Sequence, residues 1–259
     1  KVICEYVMSK KFRLIPSVLY KENSVVKSVQ YATHSVVGDL SSTMRVFSRR
    51  QADELIIYDL DASRKLAINW EMIEVCVSNS NMPLTYGGGV AETQTALKLI
   101  ESGFDKISLN SALYENPNTV YEIAKNIGSS STVASIDLKR NGSDIYICKN
   151  RGTEMLRKFD LGSEVNFLEN IGVGEIIVNC IDNDGLMGGY DFANLDVRAI
   201  NHQIPMLISG GCSGSDCIRK AFDHGFDGAV MSSIFLWKGD SVPSLKSELR
   251  NQIPVREVI

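Results

Sequence analysis

Short apolar, β-branched runs recur along this chain, separated by longer stretches in which apolar residues return every three or four positions. Leu55-Ile56-Ile57, Ile107-Ser108-Leu109, Val133-Ala134-Ser135-Ile136, Ile176-Ile177-Val178 and Met206-Leu207-Ile208 read as buried parallel strands. Residues 93–102, 116–126 and 213–224 read as amphipathic helices that start on polar residues and end near Gly or Asn. Alternation of strand and helix over the whole length predicts a parallel α/β protein. No Pro-, Gly- or Ser-rich linker divides it. The expectation is one domain over residues 13–259, preceded by an N-terminal extension, 1–12, that the fold does not use.

An internal repeat points to a closed barrel. Met82-Pro83-Leu84-Thr85-Tyr86-Gly87-Gly88-Gly89 matches Ile204-Pro205-Met206-Leu207-Ile208-Ser209-Gly210-Gly211, with Pro83 against Pro205. In the same register Gly103-Phe104-Asp105 matches Gly225-Phe226-Asp227, and Asn110-Ser111 falls on Ser232-Ser233. Upstream, Glu54-Leu55-Ile56-Ile57 pairs with Glu175-Ile176-Ile177-Val178, and the segment from Arg13 to Lys21 pairs with that from Ser131 to Lys139. Two copies of one four-strand series give eight strands. A (β/α)8 barrel built from two similar halves accommodates them without exposed sheet edges; an open doubly wound sheet is the alternative.

Composition narrows the function. A net charge of −4 and a sequence pI near 5.5 argue against a nucleic-acid-binding face. The six cysteines are scattered, with no C-x₂-C pair, so neither a zinc site nor a disulfide framework is expected, and a reducing cytoplasm fits best. No apolar run is long enough to span a bilayer and no signal peptide is evident. No His/Cys/Asp cluster has metal-ligand spacing, and no cofactor is expected. His34, in a long loop expected over 20–38, reads as a solvated residue, while His202 and His224 read as satisfying carbonyls near helix ends.

Glycine pairs at strand ends let backbone N–H groups approach an oxyanion closely. Here the pair occurs twice, at Gly88-Gly89 and Gly210-Gly211, and each time the next strand ends in polar donors, Asn110-Ser111 and Ser232-Ser233. Two such cradles predict a ligand carrying a phosphate or similar anion at each end. Asp59, Asp61, Asp137, Asp182 and Asp184 fall at predicted carboxyl ends of strands, where barrel enzymes keep their chemistry. For Asp59, Asp61 and Asp184, capping of a turn competes evenly with catalysis. Asp137, which ends an apolar strand, is the stronger catalytic candidate. Its equivalent in the first half is Leu19, so a symmetric acid–base pair has lost one member; such a loss costs about 10²–10⁴-fold in rate.

Arg13-Leu14-Ile15-Pro16, Asp53-Glu54-Leu55, Tyr86-Gly87-Gly88-Gly89, Lys106-Ile107-Ser108-Leu109-Asn110-Ser111, Glu115-Asn116-Pro117, Ser135-Ile136-Asp137, Gly174-Glu175-Ile176 and Asp182-Asn183-Asp184-Gly185 together resemble the HisF family, the cyclase subunit of imidazole glycerol phosphate synthase. The resemblance runs from about Arg13 to Trp237. It implies a two-half barrel that receives ammonia from a HisH-like glutaminase docked on the amino-terminal face and passes it to a bisphosphate-type ligand at the other face. It places phosphate binding on Gly88, Gly89, Asn110, Ser111, Gly210, Gly211 and Ser233. An ammonia gate falls on Arg13, Glu54, Lys106 and Glu175, and one catalytic aspartate on Asp137. The other aspartate falls on Leu19, with Asp61 as the neighbour able to substitute. Lys27 keeps the basic residue of the substrate loop, although the Asp-Gly turn typical of the histidine enzyme is absent. Leu19 and the segment from Tyr58 to Ser63 resemble a HisF-like side branch that works with a glutaminase-like partner and a third protein to build amidino groups on surface-glycan sugars. The expected function is therefore an ammonia-delivering synthase subunit of a glutamine amidotransferase complex acting on a phosphate-bearing or activated sugar. The alternatives are a true histidine-pathway cyclase and a non-catalytic phosphate-ligand subunit.

Overall fold

The computed structural model describes residues 11–50, 52–65, 67–237 and 241–256; the rest of the expected N-terminal extension, 1–10, lies outside them. Among the described residues twelve strands follow one another: β1 (Arg13–Lys21), β2 (Ser24–Val29), β3 (Thr33–Gly38), β4 (Leu55–Asp59), β5 (Leu84–Gly87), β6 (Lys106–Leu109), β7 (Thr132–Asn141), β8 (Asp144–Lys149), β9 (Glu154–Lys158), β10 (Glu175–Cys180), β11 (Met206–Ser209) and β12 (Gly228–Met231). Eight of them, β1, β4, β5, β6, β7, β10, β11 and β12, are parallel neighbours, and the β7–β10 pairing closes the ring. Carrying the pairing once round from Ser17, through Ile56, Thr85 and Lys106, returns to β1 displaced by eight residues. That is the shear of a (β/α)8 barrel. The open-sheet alternative is excluded.

Helices cover the outside, and their starts follow from local chemistry. Asp39, Asn69, Asn116 and Asp160 each accept a hydrogen bond from the free N–H three residues on, at the heads of helices Leu40–Arg49, Trp70–Ser78, Pro117–Ile127 and Leu161–Asn170. The helical stretches expected from periodicity appear as Thr93–Glu101, Pro117–Ile127 and Ser215–Asp223. Their apolar faces, including Leu99, Ile123 and Ile218, are buried against the outward side chains of the strands. Inward side chains form a separate cluster of Ile15, Ile56, Val133, Ile177, Leu207 and Val230 across the middle of the barrel.

Two readings change. The loop expected over 20–38 is a β-hairpin, β2–β3, antiparallel to the end of β1. Its counterpart after β7 is the hairpin β8–β9, so the duplication extends to both excursions. The N-terminal extension cannot run through residue 12: Phe12 is buried, donates its N–H to Pro254 O at 2.7 Å and bridges to Val255. Phe12 and the segment Pro254–Val255, far apart in sequence, thereby meet at the barrel's floor. There the helix Val242–Leu249 is pinned by Lys246, whose Nζ sits 2.6 Å from Asp53 Oδ1, both residues buried, while Asp53 Oδ2 accepts the Leu14 N–H.

Removing one partner of a buried ion pair leaves an uncompensated charge. Lys246→Met is expected to lower the unfolding free energy by about 3–5 kcal/mol, read as a lower urea midpoint with an unchanged denaturant slope.

Candidate functional site

Alternation along each strand sends every second side chain into the barrel. At the amino-terminal end these are Arg13, Glu54, Lys106 and Glu175, and they close into a ring. Arg13 Nη1 lies 2.8 Å from Glu54 Oε1 and Nη2 lies 2.7 Å from Glu175 Oε2. Lys106 Nζ lies 2.9 Å from Glu54 Oε2 and 3.1 Å from Glu175 Oε1. Cations and anions alternate, so the ring is neutral and each charge has two opposite neighbours. Burial works against ionisation of Arg13, but Glu175 and Glu54 outweigh it and hold the guanidinium's pKa above its ordinary value; burial likewise opposes the Glu54 carboxylate, and Arg13 and Lys106 outweigh that.

Above the apolar layer the interior becomes polar. Tyr58 and Ser108 place hydroxyls in the barrel that are buried without a hydrogen-bond partner. The Tyr58 ring fits because Gly87 lacks a Cβ, which would stand 2.7 Å from it. Burial pushes the Tyr58 phenol up to about 12, so it is a neutral donor at physiological pH. Next to this pair, Asn179 Nδ2 donates to Ser135 Oγ at 2.7 Å and to Asp137 Oδ1 at 3.1 Å.

Asp137 lies buried in the middle of β7, near the top of its barrel-forming part, where the strand goes on into the hairpin with β8. Lys139 and Arg140 follow it in sequence, yet Arg140 is turned to Asp191, 2.6 Å from Nε to Oδ2. Burial is the largest influence on Asp137; it outweighs the hydrogen bonds from Asn179 and Tyr31, and the nearby Asp184 adds to it, pushing the carboxyl up to about 7. Such a group exchanges protons near neutrality, as a general base or acid requires. Leu19, its counterpart on β1, is half-buried on the opposite side of the same rim.

The hairpin β2–β3 crosses this mouth. Its tip is a tight turn, with Ala32 N donating to Val29 O and both central residues, Gln30 and Tyr31, at positive φ (51° and 59°). Gln30 N donates to Asp184 O at 3.0 Å, Gln30 Nε2 to Asp182 O at 2.7 Å, and Ser28 Oγ to Asp184 Oδ2 at 2.7 Å. Gly185 is required here: a Cβ on it would run into Ser28 O. Held this way, Tyr31 points its hydroxyl at Asp137 Oδ1, 3.2 Å away. Lys27 is buried in the same hairpin, where Asp184 acts on it.

Both glycine cradles lie on this rim. Cβ atoms on Gly88 and Gly89 would collide with Asp59 O and Ala62 O; on Gly210 and Gly211 they would collide with Cys180 O and Gly189 O. The second cradle opens into a solvent-facing cavity lined by Ser17, Asp184, Gly210, Gly211, Ser232 and Ser233. The first differs. Asn110 Nδ2 donates to Ser135 O at 2.6 Å, and Ser111 Oγ accepts from Asn150 N at the tip of β8–β9. Beside it, after burial, Lys21, Arg151 and Arg64 push the His34 pKa down, so this part of the rim is electropositive.

The remaining carboxylates serve turns. Asp59, buried, accepts from Asp61 N and Ala62 N. Asp61 accepts from Glu22 N at the root of the first hairpin, and Asp182 from Arg140 N. His224 Nδ1 meets Lys220 O at a helix end, whereas His202 Nδ1 meets Ile204 O in a loop. Among the described residues no group of three or more His, Cys, Asp or Glu could hold a metal, and no helix is long and apolar enough to cross a membrane. Tyr31, Tyr58, Ser135 and Asn179 escaped the sequence reading. Three of the four were detectable in principle as polar residues at inward positions of apolar strands.

Comparison with known proteins follows the same lines. The sequence pattern described as "Histidine biosynthesis protein" matches residues 13–240. A Campylobacter jejuni protein provisionally named imidazole glycerol phosphate synthase subunit hisF2 is 36% identical over 93% of this chain and 96% of its own length. A Vibrio vulnificus protein provisionally named subunit hisF3 is 34% identical over 88% of each chain. The imidazole glycerol phosphate synthase subunit HisF of Francisella philomiragia is 34% identical over 95% of this chain and 98% of its own.

The raised Asp137 pKa has a sign. The folded state keeps this proton to about pH 7, whereas an unfolded aspartate loses it near 3.9. Stability therefore falls as pH rises through that window. Asp137→Asn, which keeps the shape without the charge, is expected to match the parent at pH 4 and to exceed it at pH 8 by up to about 4 kcal/mol, read from urea midpoints at the two pH values.

Proposed function

The chain belongs to the HisF family of histidine biosynthesis proteins, and from that premise we propose that it is an ammonia-using synthase subunit whose acceptor is an activated or phosphate-bearing sugar. In this reading a HisH-like glutaminase docks over the Arg13–Glu54–Lys106–Glu175 ring and ammonia enters where the ring parts. The observation that carries the reading is the run of groups between the two barrel ends. A neutral ion ring stands at one end, the apolar layer around Ile15, Ile56 and Ile177 follows, then two unpartnered buried hydroxyls on Tyr58 and Ser108, and a carboxyl with a pKa near 7 waits at the other end. A small neutral molecule with both donors and acceptors suits such a path; a metal ion or an apolar ligand does not.

Asp137 takes the proton from ammonia as it attacks. The acceptor's anionic end rests on Gly210-Gly211 and Ser233, which line the open cavity at that rim. Gly88-Gly89 holds the other end, beside the cations of that rim, and Asn110 and Ser111 join it by giving up their contacts with Ser135 O and Asn150 N. Leu19 in place of the second carboxylate argues for an acceptor other than that of the histidine-pathway cyclase, and amidino-sugar synthesis, with a third sugar-modifying protein, fits that change. A second reading, the histidine-pathway cyclase itself, is favoured by the pair of glycine cradles on one rim.

The test is product formation by mass spectrometry, with ammonium chloride or with glutamine plus the co-purifying glutaminase, offering acetamido sugars and the family's bisphosphate ribonucleotide in parallel. An amidine product from the sugar supports the first reading and cyclised ribonucleotide the second. Absence of any ammonia-dependent product removes both. Asp137→Asn is expected to lower turnover by about 10²–10⁴-fold, and Lys106→Met to impair the glutamine-supported rate more than the ammonium-supported one.

A further inference from the structure

We propose that Tyr31 is the second proton-transfer group of this site, carried in on the hairpin β2–β3 to do what the residue at Leu19 cannot. The inference rests on the ammonia-using reading above and deepens it. Leu19 stands where the repeat puts a carboxylate, and a leucine neither gives nor takes a proton. Across the mouth, the Tyr31 hydroxyl meets Asp137 Oδ1 at 3.2 Å. The other groups against this carboxylate have no such capacity: Asn179 and Asn110 offer only amide hydrogens. The titratable neighbours that interact with Asp137 are Asp184, Tyr58, Tyr114 and Cys148, none of them a cation. Tyr31 alone comes from a separate element, aimed from the ligand side.

The backbone around Tyr31 supports the assignment. Two-residue hairpin turns with positive φ at both centres favour Asn and Gly, and a bulky residue there is an unfavourable choice. Here Gln30 and Tyr31 occupy those positions, held by the Gln30 and Ser28 contacts to Asp182 and Asp184. Strained conformations of this kind concentrate where a side chain must be delivered to a site.

The chemistry closes as a cycle. The ammonia lone pair forms a C–N bond to a carbonyl carbon of the acceptor, and the π pair of the C=O bond moves to its oxygen. Tyr31 gives its proton to that oxygen, and Asp137 takes one proton from the new ammonium. The product is a neutral carbinolamine, which leaves a phenolate on Tyr31 and a carboxylic acid on Asp137. One proton passing from Asp137 to Tyr31 across their contact restores both. That return is downhill, because burial, reinforced by Asp137, raises the Tyr31 phenol well above its ordinary pKa while Asp137 titrates near 7. A phenol that stays protonated until charge develops on the oxygen is the donor such an addition needs.

The pair is tested first without substrate. Protein carrying ¹³C-carboxyl aspartate is titrated by NMR as the parent, as Tyr31→Phe and as Asp137→Asn, the last to identify the resonance. Tyr31→Phe removes a hydrogen bond to the charged form and is expected to move the Asp137 midpoint upward by about one pH unit. An unmoved midpoint overturns the pairing whatever the protein's reaction proves to be. With ammonium chloride as nitrogen source in the assay above, Tyr31→Phe is expected to lower kcat by about 10²–10⁴-fold with KM little changed. Tyr31→Phe combined with Leu19→Asp is expected to recover part of the loss. Parental kcat in Tyr31→Phe overturns the catalytic role. If the parent itself forms no ammonia-dependent product, the proposed function fails, and the titration alone decides for or against the pair.

Discussion

Closure of eight parallel strands with a shear of eight is the constraint on which the other features depend. Once the ring closes, side chains two residues apart on one strand are stacked along the barrel axis, and those at matched heights on different strands face one another. On β7 that stack is Val133, Ser135 and Asp137; on β10 it is Glu175, Ile177 and Asn179. The same register therefore fixes a charged floor, an apolar waist and a polar mouth. Asn179 is opposite Asp137 for the same reason that Glu175 is opposite Val133. None of these positions can be shifted by one residue without exchanging the inward set for the outward one.

Two charge arrangements inside one barrel behave in opposite ways. At the floor, two buried carboxylates and two half-buried cationic side chains stand together, and each is compensated by two opposite neighbours at 2.7–3.1 Å. At the mouth, one carboxyl is buried in no ion pair among the described residues, and Arg140 is committed to Asp191. Desolvation then dominates, and the group stays protonated to about pH 7. Burial alone does not decide whether a carboxylate is stable; the neighbours do. A closed neutral ring suits a structural plug that can part, and a lone carboxyl suits proton exchange.

The halves of the barrel repeat in backbone but have diverged in use. Each carries a hairpin after its first strand, and each hairpin tip reaches beyond its own half. The tip of β2–β3 docks on Asp182 and Asp184 of the second half, while the tip of β8–β9 reaches Ser111 of the first. Where the second half has Asp137, the first has Leu19. One cradle faces an open cavity and the other has its side-chain donors engaged within the protein. A duplicated scaffold thus presents an asymmetric site.

Local pattern was enough to specify the eight barrel strands, the helices Thr93–Glu101, Pro117–Ile127 and Ser215–Asp223, and the twofold repeat, because periodicity and repeat spacing are properties of neighbours in sequence. The four residues of the ion ring came from the family resemblance, since charges at strand starts otherwise read as solvated edge positions. The hairpin β2–β3 was hidden because its turn residues, Gln30 and Tyr31, lack the Asn or Gly that marks such a turn. Phe12 was misplaced because its partners, Pro254 and Val255, lie at the other end of the chain. The contact between Tyr31 and Asp137 spans 106 residues and exists only because barrel closure brings the hairpin across the mouth. Residue types and spacing settled which groups the chain owns. Which of them meet, and which carboxyl is left without a counter-charge, was decided by tertiary structure, since desolvation and pairing depend on distances that sequence order does not contain.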